Sequence, residues 1–389
     1  MRKWKDCILA DLGEIIGGAT PSTTNKNYYG GDIVWITPKD LSTLQGRFIH
    51  HGMRNITREG LNSCSARLMP KHSILFTSRA PIGYVAITGN EVCTNQGFKS
   101  IIPNANTDYL FLYYLLVHNR NRIENMGSGT TFKEISGSVM KDITVSVPSD
   151  IAEQRIIARI LAALDDKIEN NKAINNHLEQ IAQAIFKSWF VDNASNNWKS
   201  VKLGTVIQEI RTKVKNQYLP VLSAVRTGNL VLSEEFFTKQ VYSKDIGRYI
   251  VVEPNDFAYN PARVNIGSIG INTFGFAGCV SPVYIVFRSE PEYHNFFRFF
   301  LKLPNFQEEL RIRASGSVRQ SLSYDNFALI QITYPPIDFV RKFNCYYTDI
   351  QTTLGQLKLE TACLAAIRDT LLPRLMSGKL SVTDLEDAK

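Results

Sequence analysis

The chain has 389 residues, 44% of them hydrophobic, enough for two or three domains with sizeable cores. Its net charge of +8 favours an anionic partner, nucleic acid or an acidic membrane surface, without choosing between them. No apolar run is long enough to span a bilayer, and the start, "MRKWKDCILADLGEIIGG", lacks the apolar core of a signal peptide. The cysteines Cys7, Cys64, Cys93, Cys279, Cys345 and Cys363 form no C-x-x-C, so a zinc ribbon is not expected; they read as buried, reduced thiols of a cytoplasmic protein.

In chain order, residues 1–150 read as a first globular part. Short strands and turns lead to an aromatic helix, "DYLFLYYLLVHNRNRIENM", a Gly/Ser loop, "SGTTFKEIS" (Ser128 to Ser136), and a last strand, "MKDITVSVP". Residues 151–192 then form one long helix. The stretch from Ile151 to Phe190 holds no Pro and no Gly, and is several times an ordinary globular helix. Residues 193–337 read as a second globular part, with the helix "EYHNFFRFFLKLPNFQEELRIRA", the loop "SGSVRQSLS" (Ser315 to Ser323) and the strand "FALIQITYP". Residues 338–389 hold a shorter helix, "DIQTTLGQLKLETACLAAIRDTLLPRL", and a tail.

The two globular parts are a tandem repeat. The Gly/Ser loops align without gaps, and so do "PKHSILFTSRAPIGYVAI" (Pro70 to Ile87) and "PNDFAYNPARVNIGSIGI" (Pro254 to Ile271). This alignment pairs Pro70 with Pro254, Arg79 with Arg263, Gly83 with Gly267 and Ile87 with Ile271. So long a period means duplicated domains, not a solenoid. Gly83 and Gly267 read as turn positions that need positive φ, and Pro70 and Pro254 as loop starts.

Both long helices carry a 3-4 seam. In the first it is Ile157, Leu161, Leu164, Ile168, Asn171, Asn175, Leu178, Ala182, Ile185 and Trp189; in the second, Ile350, Leu354, Leu357, Thr361, Leu364, Arg368, Leu371 and Leu375. Asn171, Asn175 and Thr361 weaken the seam but can fix its register. Forty residues of helix rise about 60 Å, too long to pack on one small domain alone. Each helix therefore needs the other, and an antiparallel pair suits the chain's path. The expected fold class is α+β: two related mixed α/β domains joined by two long antiparallel helices in a coiled coil, a pseudo-twofold tandem repeat. Such a rod would act as a ruler between two basic domains on a duplex.

Signatures of catalysis are missing. There is no P-loop; "NPAR" at Asn260 falls short of an adenine methyltransferase loop; "FGFAG" at Phe274 does not match a cofactor loop. The histidines have no metal-ligand spacing, and His50 and His51 read as strand residues on the surface. A DNA reader and assembly scaffold is thus set against two alternatives. One is a stand-alone methyltransferase or nuclease component with an unrecognised active site. The other is a coiled-coil scaffold with no nucleic acid, against which the charge counts.

Several stretches together resemble a type I restriction–modification specificity (S) subunit, over nearly the whole chain. They are "GGATPSTTNKNYYGGDIVWITPKDL", "ILFTSRAPIGYVAI" with "TNQGF" (Thr94 to Phe98), the junction "VPSDIAEQRIIARILAALDDKIE", and, in the second half, "YLPVLSAVRTGNL", "GRYIVVEPNDFAYNPARVNIG" and "LLPRLMSGKL". The resemblance implies two target recognition domains, each reading half of a split sequence in double-stranded DNA, with the helices setting the unread spacer. It also implies two methyltransferase subunits docked on this chain, and two restriction (motor–nuclease) subunits that can join them. Catalysis then belongs to the partners: S-adenosylmethionine, ATP and Mg are expected there, and no cofactor in this chain. "TNQGF" becomes "VSPVY" in the second half and Lys133 becomes Gln320, so the two domains should read different half-sites.

The DNA-facing residues are argued from chemistry. Phosphates want Lys, Arg, Ser, Thr and backbone N–H, while base edges want Arg, Lys, Asn and Gln on rigid loops. The first Gly/Ser loop and the helix before it offer Arg120, Arg122, Ser128, Thr130, Thr131 and Lys133; the second offers Arg311, Arg313, Ser317, Arg319 and Gln320. Arg79 and Arg263 lie in another loop, with Lys39 beside the first and Arg226 near the second. The competing reading of each is a solvated charge or an internal ion pair, such as Arg122 with Glu124 or Lys133 with Glu134.

Overall fold

The computed structural model describes residues 4–79, 81–129, 133–237, 242–243, 245–314 and 321–381. The chain divides into two compact units, Met1–Asn175 with Gln356–Lys389, and Asn176–Gly355. Both long helices contribute to both units. The central helix spans Ile151–Lys187 and closes in a π-turn over Ser188–Asp192. The C-terminal helix spans Ile337–Met376. At 40 residues against 37, it is not the shorter partner that its sequence suggested. The helix begins at Ile337, ahead of the stretch "DIQTTLG" where the sequence reading began it.

The first unit is built on a five-stranded sheet. Its order is Gly13–Gly17, Lys99–Pro103, Ile74–Ser78, Ile82–Thr88 and Phe48–Ile49, antiparallel except for the last pair. A three-stranded sheet of Arg54–Ile56, Tyr29–Ile36 and Cys93–Thr94 lies alongside it in the chain. The strand Trp4–Ile8 pairs with Thr144–Pro148 and so joins the two ends of the globular part just before the central helix begins. The second unit has a four-stranded antiparallel sheet in the order Ile207–Ile210, Ile285–Ser289, Phe257–Tyr259, Ile269–Ile271. Lys199–Lys202 pairs with Gln331–Tyr334 as the equivalent closing ribbon.

The duplication reaches individual hydrogen bonds. The amide of Leu9 donates to Ile143 O at 3.0 Å, and that of Leu203 to Ile330 O at 2.8 Å. Each is followed by the same single 3-10 turn, Leu9–Asp11 and Leu203–Thr205. The ungapped alignment from Pro70 to Ile87 needs one correction. The amide of Ser73 donates to Pro70 O, while that of Asp256 donates to Glu253 O, so the turn before the strand is equivalent to Pro70 at Glu253, not Pro254. Ile74 pairs with Ile87 and Phe257 with Ile271, which places one extra residue in the second unit after its strand. The aromatic helices also differ. Tyr109–Asn125 is continuous, whereas its counterpart breaks into His294–Phe300 and Pro304–Arg313. Pro304 lacks the N–H a helix interior needs and serves instead at the first turn of the new helix.

Within each unit the two long helices run antiparallel. In the first, Arg368 Nη1 donates to Asp165 Oδ1 at 2.7 Å and Asn171 Nδ2 to Glu360 Oε2 at 2.8 Å. In the second, Phe186 stacks edge-on to Phe343 and Trp189 to Phe339. Every seam position expected from the 3-4 spacing is buried or half-buried. The helix ends are also part of the domain cores. Ile157, Ala158 and Leu161 join Leu375, Met376 and the first sheet; Phe186 and Phe190 join Phe343, Tyr347 and the second.

One charged residue is buried where the first sheet meets the central helix. Arg47 is 4% exposed. Its backbone N–H and Nε both donate to Glu169 Oε1 at 3.0 Å, Nη1 donates to Tyr114 Oη at 3.1 Å, and Nη2 pairs with Asp166. Tyr114 Oη in turn donates to Asp165 at 2.7 Å, the carboxylate that also accepts from Arg368. Burial works against the Arg47 charge, but Tyr114 and Glu169 outweigh it and raise its pKa. All six cysteines are free; Cys93 and Cys279 are buried as expected, but Cys345 and Cys363 are exposed on the C-terminal helix. His50 and His51 are exposed and follow the strand Phe48–Ile49 rather than lying in it.

Arg47→Ala removes a buried cation and strands the groups around it. It is expected to cost about 3 kcal/mol, read as a lowered denaturant midpoint of the full chain. Thr361 Oγ1 is buried in the seam without a hydrogen-bond partner among the described residues. Thr361→Val keeps the shape and removes that hydroxyl, so a gain of about 1 kcal/mol and a raised Tm are expected in thermal melts.

Candidate nucleic-acid interface

The site begins with two glycines. Gly83 has φ 96° and Gly267 φ 88°, the positive values expected of them, in a region L side chains rarely adopt. Each glycine also makes room for an arginine. A Cβ on Gly83 would lie 2.8 Å from Arg120 Cγ, and one on Gly267 3.1 Å from Arg226 Cγ. The two arginines come from different elements. Arg120 lies on the helix Tyr109–Asn125 and also covers the Tyr84 ring at 5.8 Å. Arg226 lies in the turn between Leu222–Ala224 and Leu230–Leu232. The backbone thus solves one problem the same way in both units and fills the space with side chains of different origin.

The bases of the Gly/Ser loops are matched in the same way. Ile135 N–H donates to Ser78 O at 2.9 Å, and Leu322 N–H to Pro261 O at 3.1 Å. Ser136 and Ser323 follow, and each caps a short helix by accepting an amide three residues on. In the first unit Ser128 and Glu134 exchange backbone hydrogen bonds of 3.2 and 2.9 Å, closing the loop at its neck. The Glu134 carboxylate lies 3.8 Å from both Arg79 and Lys99, so two cations share one anion there. Lys133 is exposed at the same neck. Thr130, Thr131, Ser317, Arg319 and Gln320 lie outside the described residues.

The remaining candidates divide. Lys39 and Arg263 are exposed, Lys39 on the short helix Pro38–Ser42 and Arg263 at the start of the turn Val264–Ile266. Arg122 is held by the fold: Nη2 donates to Thr144 O at 2.7 Å and Nη1 to Asn119 at 3.3 Å. This replaces the pairing with Glu124 that sequence spacing allowed, and Glu134 serves Arg79 and Lys99 in place of Lys133. Arg311 pairs with Glu308 at 2.5 Å and Arg313 with Glu309 at 2.6 Å along their own helix. These are pairs about one helical turn apart near the surface, weak enough to be exchanged for another anion.

Arg226 and Arg311 meet in one cavity of about 670 Å³, together with Arg298 and Lys302. Sequence reading passed over the last two because they sit in an aromatic run, "FFRFFLKL". The signal was present: two cations four residues apart in a run that is otherwise core. Burial pushes the Lys302 pKa down, and Arg298 adds to the shift. Arg47 was passed over as well, and here the sequence "QGRFIH" carries no cue for burial.

The geometry now has relatives to be set against. The family model described as "Type I restriction modification DNA specificity domain" matches residues 1–180. The type I restriction enzyme MjaIX specificity subunit of Methanocaldococcus jannaschii is 32% identical over 423 aligned positions, covering 99% of this chain and 95% of that protein. The type I restriction enzyme HindI specificity subunit of Haemophilus influenzae is 31% identical over 178 residues, 44% of this chain and 38% of that one. Among solved structures, the S subunit of a type I restriction–modification system from M. genitalium superposes with a TM-score of 0.58 at 19% identity, covering 96% of both chains. A duplicated α+β scaffold with two long helices is thus the fold of a known class of DNA-specificity proteins. The chain belongs to the family of type I restriction–modification specificity subunits.

Gly83→Ala and Gly267→Ala each force a Cβ into a positive-φ backbone and against an arginine stem. A cost of about 1–2 kcal/mol is expected for each by denaturant unfolding. Gly30→Ala, also at positive φ but facing open space, should show the backbone part of that cost alone.

Proposed function

We propose that this chain is the DNA-reading subunit of a type I restriction–modification complex and has no active site of its own. Each unit reads one half of a bipartite target in double-stranded DNA. The helix pair sets the unread spacer and carries two methyltransferase subunits, to which two restriction subunits can be added. S-adenosylmethionine, ATP and Mg are used by those partners, in the cytoplasm, where the DNA is. Among the described residues no helix is long and apolar enough to cross a membrane.

The observation that carries this reading is one scaffold built twice with different contents. Backbone hydrogen bonds, glycines and serine caps repeat, while the residues offered to a ligand do not. "TNQGF" stands in one unit and "VSPVY" in the other, and Arg120 in one is answered by Arg226 from a different element in the other. Two copies that share a frame and differ at the reading surface suit two different half-sites. Family membership supports the same function. The direct test is to map methylated adenines in cells with and without this chain. A methylation pattern that does not depend on it would remove the reading, and turnover of S-adenosylmethionine by the pure chain would favour a methyltransferase in its own right.

The helix pair makes a further expectation specific. Because the helices run antiparallel, a heptad added after Asn171 must be matched by one added after Thr361 to keep the seam paired. Each insertion adds about 10.5 Å of rise, close to three base pairs of B-DNA. The doubly extended chain should direct methylation to the same two half-sequences with the spacer lengthened by about three base pairs. An unchanged spacer from a folded, active variant would reduce the helices to subunit glue.

A further inference from the structure

Three cations of the second unit face one cavity without an ion-pair partner among the described residues. The cavity, about 670 Å³, has Arg226, Arg298, Lys302 and Arg311 in its wall, and no carboxylate among the described residues that line it. Arg311 has Glu308; the other three have no salt bridge within the described residues. The four cations come from separate places: the turn after Leu222–Ala224, the helix His294–Phe300, the break that follows it, and the helix Pro304–Arg313. Gathering like charges at a partly buried place costs free energy that an anion would offset.

The backbone is arranged to let these side chains in. Gly228 has φ 80°, and a Cβ there would come 2.4 Å from Lys302 Cε, as one on Gly267 would come 3.1 Å from Arg226 Cγ. Two positive-φ glycines therefore hold the walls of the same cavity open at its cations. Gln183 of the central helix lines it too, so an occupant would touch the domain and the helix within one unit. The volume is that of a small-ligand site. Packing gives no reason for a lysine here: burial lowers its pKa, and Glu179 only partly opposes this.

We propose that this cavity is a phosphate-binding site. Guanidinium and ammonium groups converging from several sides suit a tetrahedral dianion or a diester better than a planar carboxylate. The phosphate can belong to the DNA backbone or to a free anion, and only the first source rests on the DNA-reading function proposed above.

The test compares the full chain with Arg298→Gln/Lys302→Gln. Lys342→Gln/Lys358→Gln, on exposed positions of the C-terminal helix, controls for the loss of two charges. Binding to a mixed-sequence duplex is followed against salt, and binding to pyrophosphate by calorimetry without DNA. If the source is the backbone, the cavity variant loses about two from the slope of log K against log salt, one per contact, and the control does not. If the source is a free anion, the wild type binds pyrophosphate and the cavity variant binds it at least tenfold more weakly, with the slope unchanged. Equal behaviour of cavity variant and wild type in both arms overturns the site. A wild type with no salt-dependent duplex binding would instead remove the DNA-reading function, and the pyrophosphate arm would still decide the cavity. Thermal melts check folding, and Arg226→Gln, at an exposed position, replaces the double variant if Lys302→Gln unfolds.

Discussion

A guanidinium cannot be left alone in a protein core, and the arrangement of the first unit follows from the way Arg47 is satisfied. Its partners come from elements distant in sequence: Glu169 and Asp166 on the central helix and Tyr114 on the aromatic helix. Asp165 extends the set to Arg368 on the C-terminal helix. Apolar packing alone would tolerate a helix rotated or shifted by a residue. This network does not, because a shift unpairs a buried charge and costs several kcal/mol. Arg47 stands immediately before the strand Phe48–Ile49, which pairs with Ile82–Thr88, the strand that holds Gly83. The frame under Arg120 is thus tied to the helices through one buried cation.

The second unit meets the same requirement with different chemistry. Phe186 and Phe190 pack on Phe296 and Phe343, and Phe343 on Tyr347, ring against ring, and Asn344 bonds to Asn295 and to Glu292 O. Aromatic contact supplies area and interlocking shape without desolvating a charge. In this unit Arg288 is held by the buried Asp256, while Arg226, Arg298, Lys302 and Arg311 line the cavity. In the first unit Arg47 is buried in its network, Arg122 is bonded to Thr144 O, and Arg79 shares Glu134 with Lys99. Two copies of one fold have divided their arginines differently between holding and facing outward.

Much of this frame was legible in the sequence because backbone requirements leave compositional marks. The repeat, the 3-4 seams, the positive φ at Gly83 and Gly267 and the equivalence of the Gly/Ser loops all came from residue type and spacing. Serine at 136 and 323 did not announce itself as a cap, although its position before each short helix was the cue. Less legible was anything decided by three-dimensional partners. "QGRFIH" does not reveal that its arginine is the most committed charge of the unit, and "FFRFFLKL" reads as core with two accidents in it. The break at Pro304 and the displaced turn at Glu253 went unseen because an ungapped alignment rewards identical letters. Pro70 and Pro254 match as letters and differ by one position in hydrogen bonding.

These failures have a common physical cause, and it bears on how such a chain can change its specificity. The features that repeat are those in which the backbone dictates the residue: a glycine where φ is positive, a serine where an amide is orphaned, a leucine where a strand turns. They constrain substitution strongly and vary little between the two halves. The features that did not repeat are side chains placed by packing, and these are the groups able to meet a ligand. Arg120 and Arg226 reach the same backbone location from a helix in one unit and a turn in the other. A fold that fixes where a cation is presented, but not which element presents it, can replace its reading surface without rebuilding its frame. The helices are shielded from such changes, since their seams and the Arg47 network involve none of the exposed loop residues. The exposed loop residues and the residues that pair the helices are thus largely separate sets, joined where Gln183 of the central helix reaches the cavity of the second unit.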